Sequence, residues 1–255
     1  MDIPEDHPRY NSLVTRERLA EFVRKGLMTP TGLISHGRGE AFDYLLGEKT
    51  IPPALDSELA AAAYLLNAKS PVICVNGNAA ALDAVRLIEL ARVTGAKVEV
   101  NIFHRTEERM AGLIAYMKAC GCKDVLGGHP DARIPGLSSD RALCTKKGIF
   151  ASDVILVPIE DGDRAEALVK MNKTVIAIDL NPLSRTSRTA SVSIADEMSR
   201  ALVNIIKFAK ELKGRKEEIE KILSQFSNAK NRMATADQIC ENLRAVVKIE
   251  CDKNE

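Results

Sequence analysis

Three short segments of this chain carry groups suited to phosphate oxygens. Asn76-Gly77-Asn78 follows the apolar run Val72-Ile73-Cys74-Val75 and precedes a long helical pattern. A tight turn from a buried strand into a helix N-terminus leaves N–H groups pointing off the carboxyl edge of a sheet, which suits an anion and equally suits a plain Asn-capped turn. The later glycines of G-x-G-x-x-G are missing, and the chain has no G-x-x-x-x-G-K-[ST] loop. The second segment, Asp179 through Thr189, reads Asp-Leu-Asn-Pro-Leu-Ser-Arg-Thr-Ser-Arg-Thr after another apolar run. Its guanidiniums, Arg185 and Arg188, and the hydroxyls of Ser184, Thr186, Ser187 and Thr189 match phosphate oxygens, while Asp179 could take ribose hydroxyls or a metal-bound water. A solvated Ser/Thr-rich loop would have the same composition. The third segment, His104-Arg105, sits between a strand and a helix, where His104 could act as a general base and Arg105 could hold a phosphate. The N-terminal set His7, Arg9, Arg16, Arg18, Ser35, His36 and Arg38 adds further cations, with Gly37 and Gly39 allowing close backbone approach. His129 follows Gly127-Gly128. Cys120-x-Cys122 with His129 and Cys144 contains no C-x-x-C pair and fits no zinc spacing, so no metal site is assigned.

These residues need elements to position them. Helix and strand patterns alternate through the middle of the chain, which predicts an α/β fold: a mostly parallel sheet with helices on both faces. Residues 1–70 read as an N-terminal helical segment, 71–195 as the nucleotide- and substrate-binding core, and 196–255 as a helical tail, all packing as one structural domain. Within the first segment, Thr29 to Gly39 reads as a polar, Gly-rich joint. A short helix then carries Phe42, Leu45 and Leu46, and another opens with Asp56 as N-cap. Strands are expected at 72–75, 97–103, 154–157, 174–178 and up to Ile194. Thr106 is placed as the cap of the helix after His104-Arg105, and Gly95 as the stop of the helix before them. Asp163 and Glu166 have capping-box spacing. Residues 121–149 read as mostly loop, and the tail as helices over 196–212, 214–227 and 235–247.

Composition narrows the function. Lys and Arg total 36 against 35 Asp and Glu, too balanced for a nucleic-acid binder that works by displacing counterions. Aromatics are 4% with no Trp, which leaves little for base stacking. No apolar run is long enough to span a bilayer, and the opening MDIPEDHPRY is no secretory leader. A reducing, cytoplasmic setting is therefore expected for the six cysteines.

The segments HPRYNSLVTRERL, GLISHGRGEAFDYLLGE, VNGNAAAL, VNIFHRTEER and DLNPLSRTSRTASVSIAD occur in the order seen in the archaeal phosphopantothenate synthetase (4-phosphopantoate–β-alanine ligase) family, which this chain resembles from about residue 5 to about 247. The resemblance implies a Rossmann-like core, a homodimer, and condensation of 4-phosphopantoate with β-alanine for coenzyme A biosynthesis. ATP with Mg²⁺ would be consumed through an acyl adenylate, releasing AMP and diphosphate. It implies that Arg16 and Arg38 contact ATP, that Asp179, Leu180 and Asn181 form the adenosine-binding turn, and that Arg185 and Thr186 lie beside the nucleotide. A further nucleotide contact falls on Glu197-Met198, where the family pattern reads Asn-Ile. To this we add two expectations. Asn76, Gly77 and Asn78 with His104 and Arg105 should grip the 4-phosphate. Residues 127–148 should form a lid whose Lys146 or Lys147 approaches phosphates. A non-catalytic nucleotide-binding module and an NAD(P)-dependent oxidoreductase are the alternatives on such a fold.

Overall fold

The strands of the sheet are short segments rich in Val and Ile, β-branched residues that fit a pleated surface: Val72–Val75 (β1), Lys97–Val100 (β2), Val125–Leu126 (β3), Val154–Pro158 (β6), Thr174–Ile178 (β7) and Val192–Ile194 (β8). In the computed structural model, which describes residues 3–252, they form one six-stranded sheet in the order β3-β2-β1-β6-β7-β8, every pair parallel. Met1 and Asp2 of the acidic opening lie outside the described residues. Alternate residues of each strand face opposite ways. Ile73, Val75, Leu156, Ile176 and Ile178 join a core with the helices Tyr10–Arg24 (α1), Pro52–Asn67 (α3), Gly77–Thr94 (α4), Glu107–Ala119 (α5) and Met198–Leu212 (α8). Val72, Cys74, Ile155, Val157, Val175 and Ala177 join a second core with Gly162–Lys170 (α6) and residues 134–149. The order of the strands reverses between β1 and β6, the position at which open parallel sheets leave a crevice beyond their carboxyl ends.

Several local expectations are corrected. The Gly-rich joint is part of one continuous helix, Pro30–Leu46 (α2), begun by Pro30 at its first position. Its glycines mark contact rather than a break. A Cβ on Gly32 would lie 2.5 Å from Asn78 Oδ1, and one on Gly39 would lie 3.6 Å from Leu180. Packing of α2 flush on the sheet edge outweighs a helical glycine's cost of about 1 kcal/mol. α3 opens at Pro52-Pro53 after Ile51, so Asp56 lies inside the helix. β2 ends at Val100, short of Phe103. Asp163 and Glu166 make no capping box, because α6 follows Asp161 with no side-chain cap. The tail helices are α8, Lys216–Gln225 (α9) and Asn228–Asp252 (α10), so the last begins seven residues earlier than expected.

Residues 121–149 are also more structured than the loop expected. They supply β3 and a small antiparallel hairpin of Ala132–Arg133 (β4) and Leu143–Cys144 (β5). Ile134, Ala142, Cys144 and Ile149 are fully buried. The segment is pinned by Glu99 of β2, which accepts hydrogen bonds from Thr145 N (2.7 Å), Thr145 Oγ1 (2.9 Å) and Ile149 N (2.7 Å). Residues 127–148, expected to form a lid, pack here as an insert against the sheet. Lys147 O accepts from Lys97 Nζ at the first residue of β2, and Lys146 N donates to Asp131. Neither lysine lines the cavity described below.

A buried network fixes α2 to the end of β8. Arg200 of α8 donates to Asp196 (Nε, 2.9 Å) and to Asp43 of α2 (Nη1, 3.1 Å), and Thr50 Oγ1 donates to Asp196 at 2.5 Å. Fully buried Glu58 accepts from Asn204 Nδ2 at 2.9 Å. Burial, with the neighbouring Asp196 carboxylate, pushes Glu58 up from 4.5 to about 9. The folded chain thus keeps a proton that the unfolded chain releases, and stability falls as pH rises from about 4.5 to about 9. Glu58→Gln should flatten that slope, so that its melting temperature gains on the wild type between pH 6 and pH 8.5. Parallel melting curves across that range would remove Glu58 as the titrating group.

Candidate active site

The crevice at the strand reversal is a cavity of about 350 Å³ at the carboxyl ends of β1, β2 and β6, roofed by the start of α2. Asn76, Gly77, Asn78 and His104 all border it, as the sequence led us to expect. The two asparagine side chains are spent on scaffolding. Asn76 Oδ1 accepts from Ala79 N (2.9 Å) as N-cap of α4, and its Nδ2 donates to Pro158 O (2.9 Å) and Ile159 O (3.1 Å). Asn78 Nδ2 donates to Gly32 O at 3.0 Å. The turn therefore offers a ligand its backbone: the first N–H groups of a helix have no intrahelical acceptor. Gly77 is required there, because a Cβ would lie 2.9 Å from Leu27 O.

Arg105 does not reach the cavity. Its guanidinium donates to Gly127 O (2.7 Å) and Gly128 O (3.3 Å) and braces the start of the insert. Arg109, one turn further along α5, borders the cavity in its place. It donates to His104 O, and its buried Nε has no partner among the described residues. No carboxylate pairs with it among those residues, and burial pulls its pKa down. Arg141, from the insert, is the second cavity cation. Its side chain is 6% exposed and bonds Glu160 at 2.8 Å and Asp161 at 3.0 Å. Glu160 also pairs with the buried Arg164, which donates to Cys74 Sγ at 3.4 Å. Glu160 and Asp161 balance Arg141 and Arg164, so the uncompensated charge at the cavity is that of Arg109, which with the donors of Arg141 and of the first turn of α4 suits an anion.

Met28, Ile102, Phe103 and Ile159 are the apolar residues that border the same cavity. Ile159 has φ of +52°. That left-handed conformation is exceptional for a β-branched residue and costs of order 1–3 kcal/mol. It is held by the bonds from Asn76 and by Ile159 N donating to Ile178 O at 3.1 Å.

The nucleotide candidates gather further along the same edge. Asp179, Leu180 and Asn181 form the turn after β7, with Asp179 Oδ1 accepting from Asn181 N at 3.0 Å. The expected display of hydroxyls is corrected. Ser184 donates to Asp179 and caps the short helix Arg185–Thr189 (α7) by accepting from Ser187 N at 2.9 Å. Ser187 Oγ donates to Asn181 O (2.8 Å) and Thr186 Oγ1 to Glu160 O (2.8 Å). Arg185 remains exposed. It lies against Gly162, where a Cβ would meet its Nε at 2.5 Å, and pairs with Glu166 at 3.3 Å. Glu197 caps α8 by accepting from Ser199 N (2.8 Å) and Arg200 N (3.1 Å), and Met198 is buried. That pair can offer a ligand little but backbone. Arg16 bonds Glu40 of α2 at 2.7 Å, and Arg38 is exposed on α2 beside Gly39, which packs on Leu180. Burial pushes the pKa of His36, on the same helix, down. Thr186 bonded to Glu160, and Arg185 lying on Gly162, make the two groups of residues contiguous through residues 160–162.

A doubly wound parallel sheet with a cavity bordered by two arginines at its strand reversal defines an α/β protein of the kind whose ligands sit beyond the carboxyl ends of the strands. The chain belongs to the phosphopantothenate/pantothenate synthetase family, whose model matches residues 53–242. It is 52% identical over 246 residues to the 4-phosphopantoate–β-alanine ligase of Methanosarcina mazei, covering 96% of this chain and 97% of that one. It is 54% identical over 210 residues to the enzyme of the same name from Methanospirillum hungatei, covering 82% and 86%. The Thermococcus kodakarensis protein of that name is 48% identical over 232 residues, covering 90% of this chain and 89% of its own.

Proposed function

We propose that this protein joins 4-phosphopantoate to β-alanine at the expense of ATP, giving 4′-phosphopantothenate, AMP and diphosphate on the way to coenzyme A. The observation that carries the reading is the cavity with Arg109 and Arg141, contiguous on one sheet edge with the Asp179–Asn181 turn. The first group would take the phosphorylated acid and the second the nucleotide. A carboxylate is a poor electrophile, so it must be activated before an amine can capture it. Attack of the pantoate carboxylate on the α-phosphorus gives an acyl adenylate and releases diphosphate. The neutral β-alanine amine then attacks the acyl carbon and expels AMP.

In this scheme Arg109, Arg141 and the first N–H groups of α4 hold the 4-phosphate, which fixes the carboxylate relative to the nucleotide. Arg16, Arg38 and Arg185 border the triphosphate and offset its charge. Asp179, Leu180 and Asn181 seat the adenosine, with backbone contacts from Glu197-Met198. His104, on the cavity wall, is the group placed to take a proton from the amine. Mg²⁺ would ride on the triphosphate, where it neutralises phosphate charge. Such ions need only one or two protein carboxylates, and Asp161 borders the cavity. We take the working form to be a homodimer, which sedimentation at micromolar concentration would test. No helix among the described residues is long and apolar enough to cross a membrane. Five free cysteines among them fit a reducing cytoplasm.

The test is incubation with ATP, Mg²⁺, β-alanine and either pantoate or 4-phosphopantoate, with mass detection of product. Product that requires both β-alanine and the phosphorylated acid is expected. Equal use of free pantoate would overturn the substrate assignment, and NADH binding without AMP release would favour an oxidoreductase. Asp179→Ala should raise the KM for ATP by roughly 10- to 100-fold, the loss of one or two good hydrogen bonds, with the KM for the acid unmoved. An unchanged ATP KM would move the nucleotide away from this turn.

A further inference from the structure

The cavity is bordered by a residue in a strained backbone conformation. Ile159 ends β6 in a left-handed backbone conformation, φ +52°, where a glycine would be unstrained. A strained position persists when its surroundings hold it, and strain of this kind gathers at ligand sites. Here Asn76 Nδ2 donates to Ile159 O and to the preceding Pro158 O, Ile159 N donates to Ile178 O, and the residue packs on the main core while bordering the cavity together with Met28, Ile102, Phe103 and two arginines. A cavity bordered by apolar residues and by two guanidiniums fits an acid that carries a phosphate at one end and a bare hydrocarbon centre in its middle. 4-Phosphopantoate is such a molecule: its C3 bears two methyl groups and no polar atom.

We propose that Ile159 is a specificity-determining residue, packing on the geminal dimethyl carbon of the acid substrate and selecting it over straight-chain 2-hydroxy-4-phosphobutanoate. The proposal rests on the reading of the site as the phosphopantoate pocket. Hydrophobic pockets discriminate a methyl group by roughly 10- to 200-fold, so a two-methyl difference is expected to give the wild type a preference of about 100-fold or more in kcat/KM. Ile159→Gly removes the side chain and relieves the backbone, so the variant is expected to fold. Ile159→Val keeps a branched wall and serves as the conservative variant.

The experiment measures AMP release with both acids for the wild type, I159G and I159V. The expected result is a preference reduced about tenfold or more in I159G, through a raised KM for 4-phosphopantoate with little change for the straight-chain acid, and largely retained in I159V. A merely structural role would lower both acids' rates together and leave their ratio alone. An unchanged ratio in I159G overturns the proposal while leaving the enzyme's assignment intact. Should I159G fail to fold, the ratio in Ile159→Ala decides by the same criterion. Wild type that releases AMP with neither acid overturns the pocket assignment and this inference with it.

Discussion

Arg109→Ala should lower kcat/KM for 4-phosphopantoate by about 30- to 1000-fold, with the KM for ATP unchanged. Arg109 is a cavity guanidinium with no carboxylate partner among the described residues and with a buried N–H left unbonded. Its charge is thus available to a ligand rather than neutralised by the protein. Truncating one side of a buried, hydrogen-bonded charge pair costs about 2–4 kcal/mol, and each 1.4 kcal/mol is a factor of ten. Arg109→Lys should recover only part of the loss, because an ammonium keeps the charge but not the planar fork. Arg141→Ala is a less clean variant, since it also strips a partner from Glu160 and should lose stability together with activity. The check is initial-rate AMP formation with the acid varied at saturating ATP, repeated with unphosphorylated pantoate. The wild type and Arg109→Ala should handle pantoate about equally poorly. A uniform loss with both acids would place Arg109 outside the phosphate subsite.

The second large effect concerns stability. Glu99→Ala should destabilise the fold by about 3–5 kcal/mol and lower the melting temperature by about 10 °C. Glu99 is fully buried in β2, and burial raises its pKa against the pull of the three donors it serves. Its removal leaves Thr145 N, Thr145 Oγ1 and Ile149 N facing a cavity with nothing to bond. The carboxylate fills this space closely, since a Cβ on Gly148 would lie 1.9 Å from Glu99 Oε2. Amide exchange should rise first across residues 131–151 and bring Arg141 out of place, so activity falls before the sheet melts. Unchanged melting together with unchanged protection of the insert would show that it stands without Glu99.

Five of the six strands were legible in the sequence, β1, β6 and β7 as apolar runs bounded by turn residues and β2 by its alternation, and the Asn76 cap and Gly95 stop of α4 read directly. The site was half legible. Asn76 to Asn78, His104 and the Asp179 turn follow strands, and position after a strand fixes the edge on which they fall. α2 was misread because glycine usually interrupts a helix, whereas at Gly32 and Gly39 the missing side chain admits Asn78 and Leu180. The insert was invisible because strands of two residues have no period to detect, and what holds it is a carboxylate more than forty residues earlier in the chain. Arg109 did leave a trace, since an arginine in the first turn of a helix opposes the macrodipole and invites another explanation. Arg141 and Ile159 left none. One reaches the cavity by tertiary packing, and the other is marked only by a backbone angle.

The two glycine contacts of α2 have a geometric consequence. Gly32 and Gly39 are seven residues apart, so they share a helix face and are separated by about 10 Å along the axis. One touches the first turn of α4 and the other the turn after β7. The helix therefore works as a ruler laid from the first turn of α4 to the turn after β7, the places that the proposed function gives to acid and nucleotide, and its pitch sets the distance between them. Inserting a single residue between the two glycines would turn one of them about 100° away from the sheet.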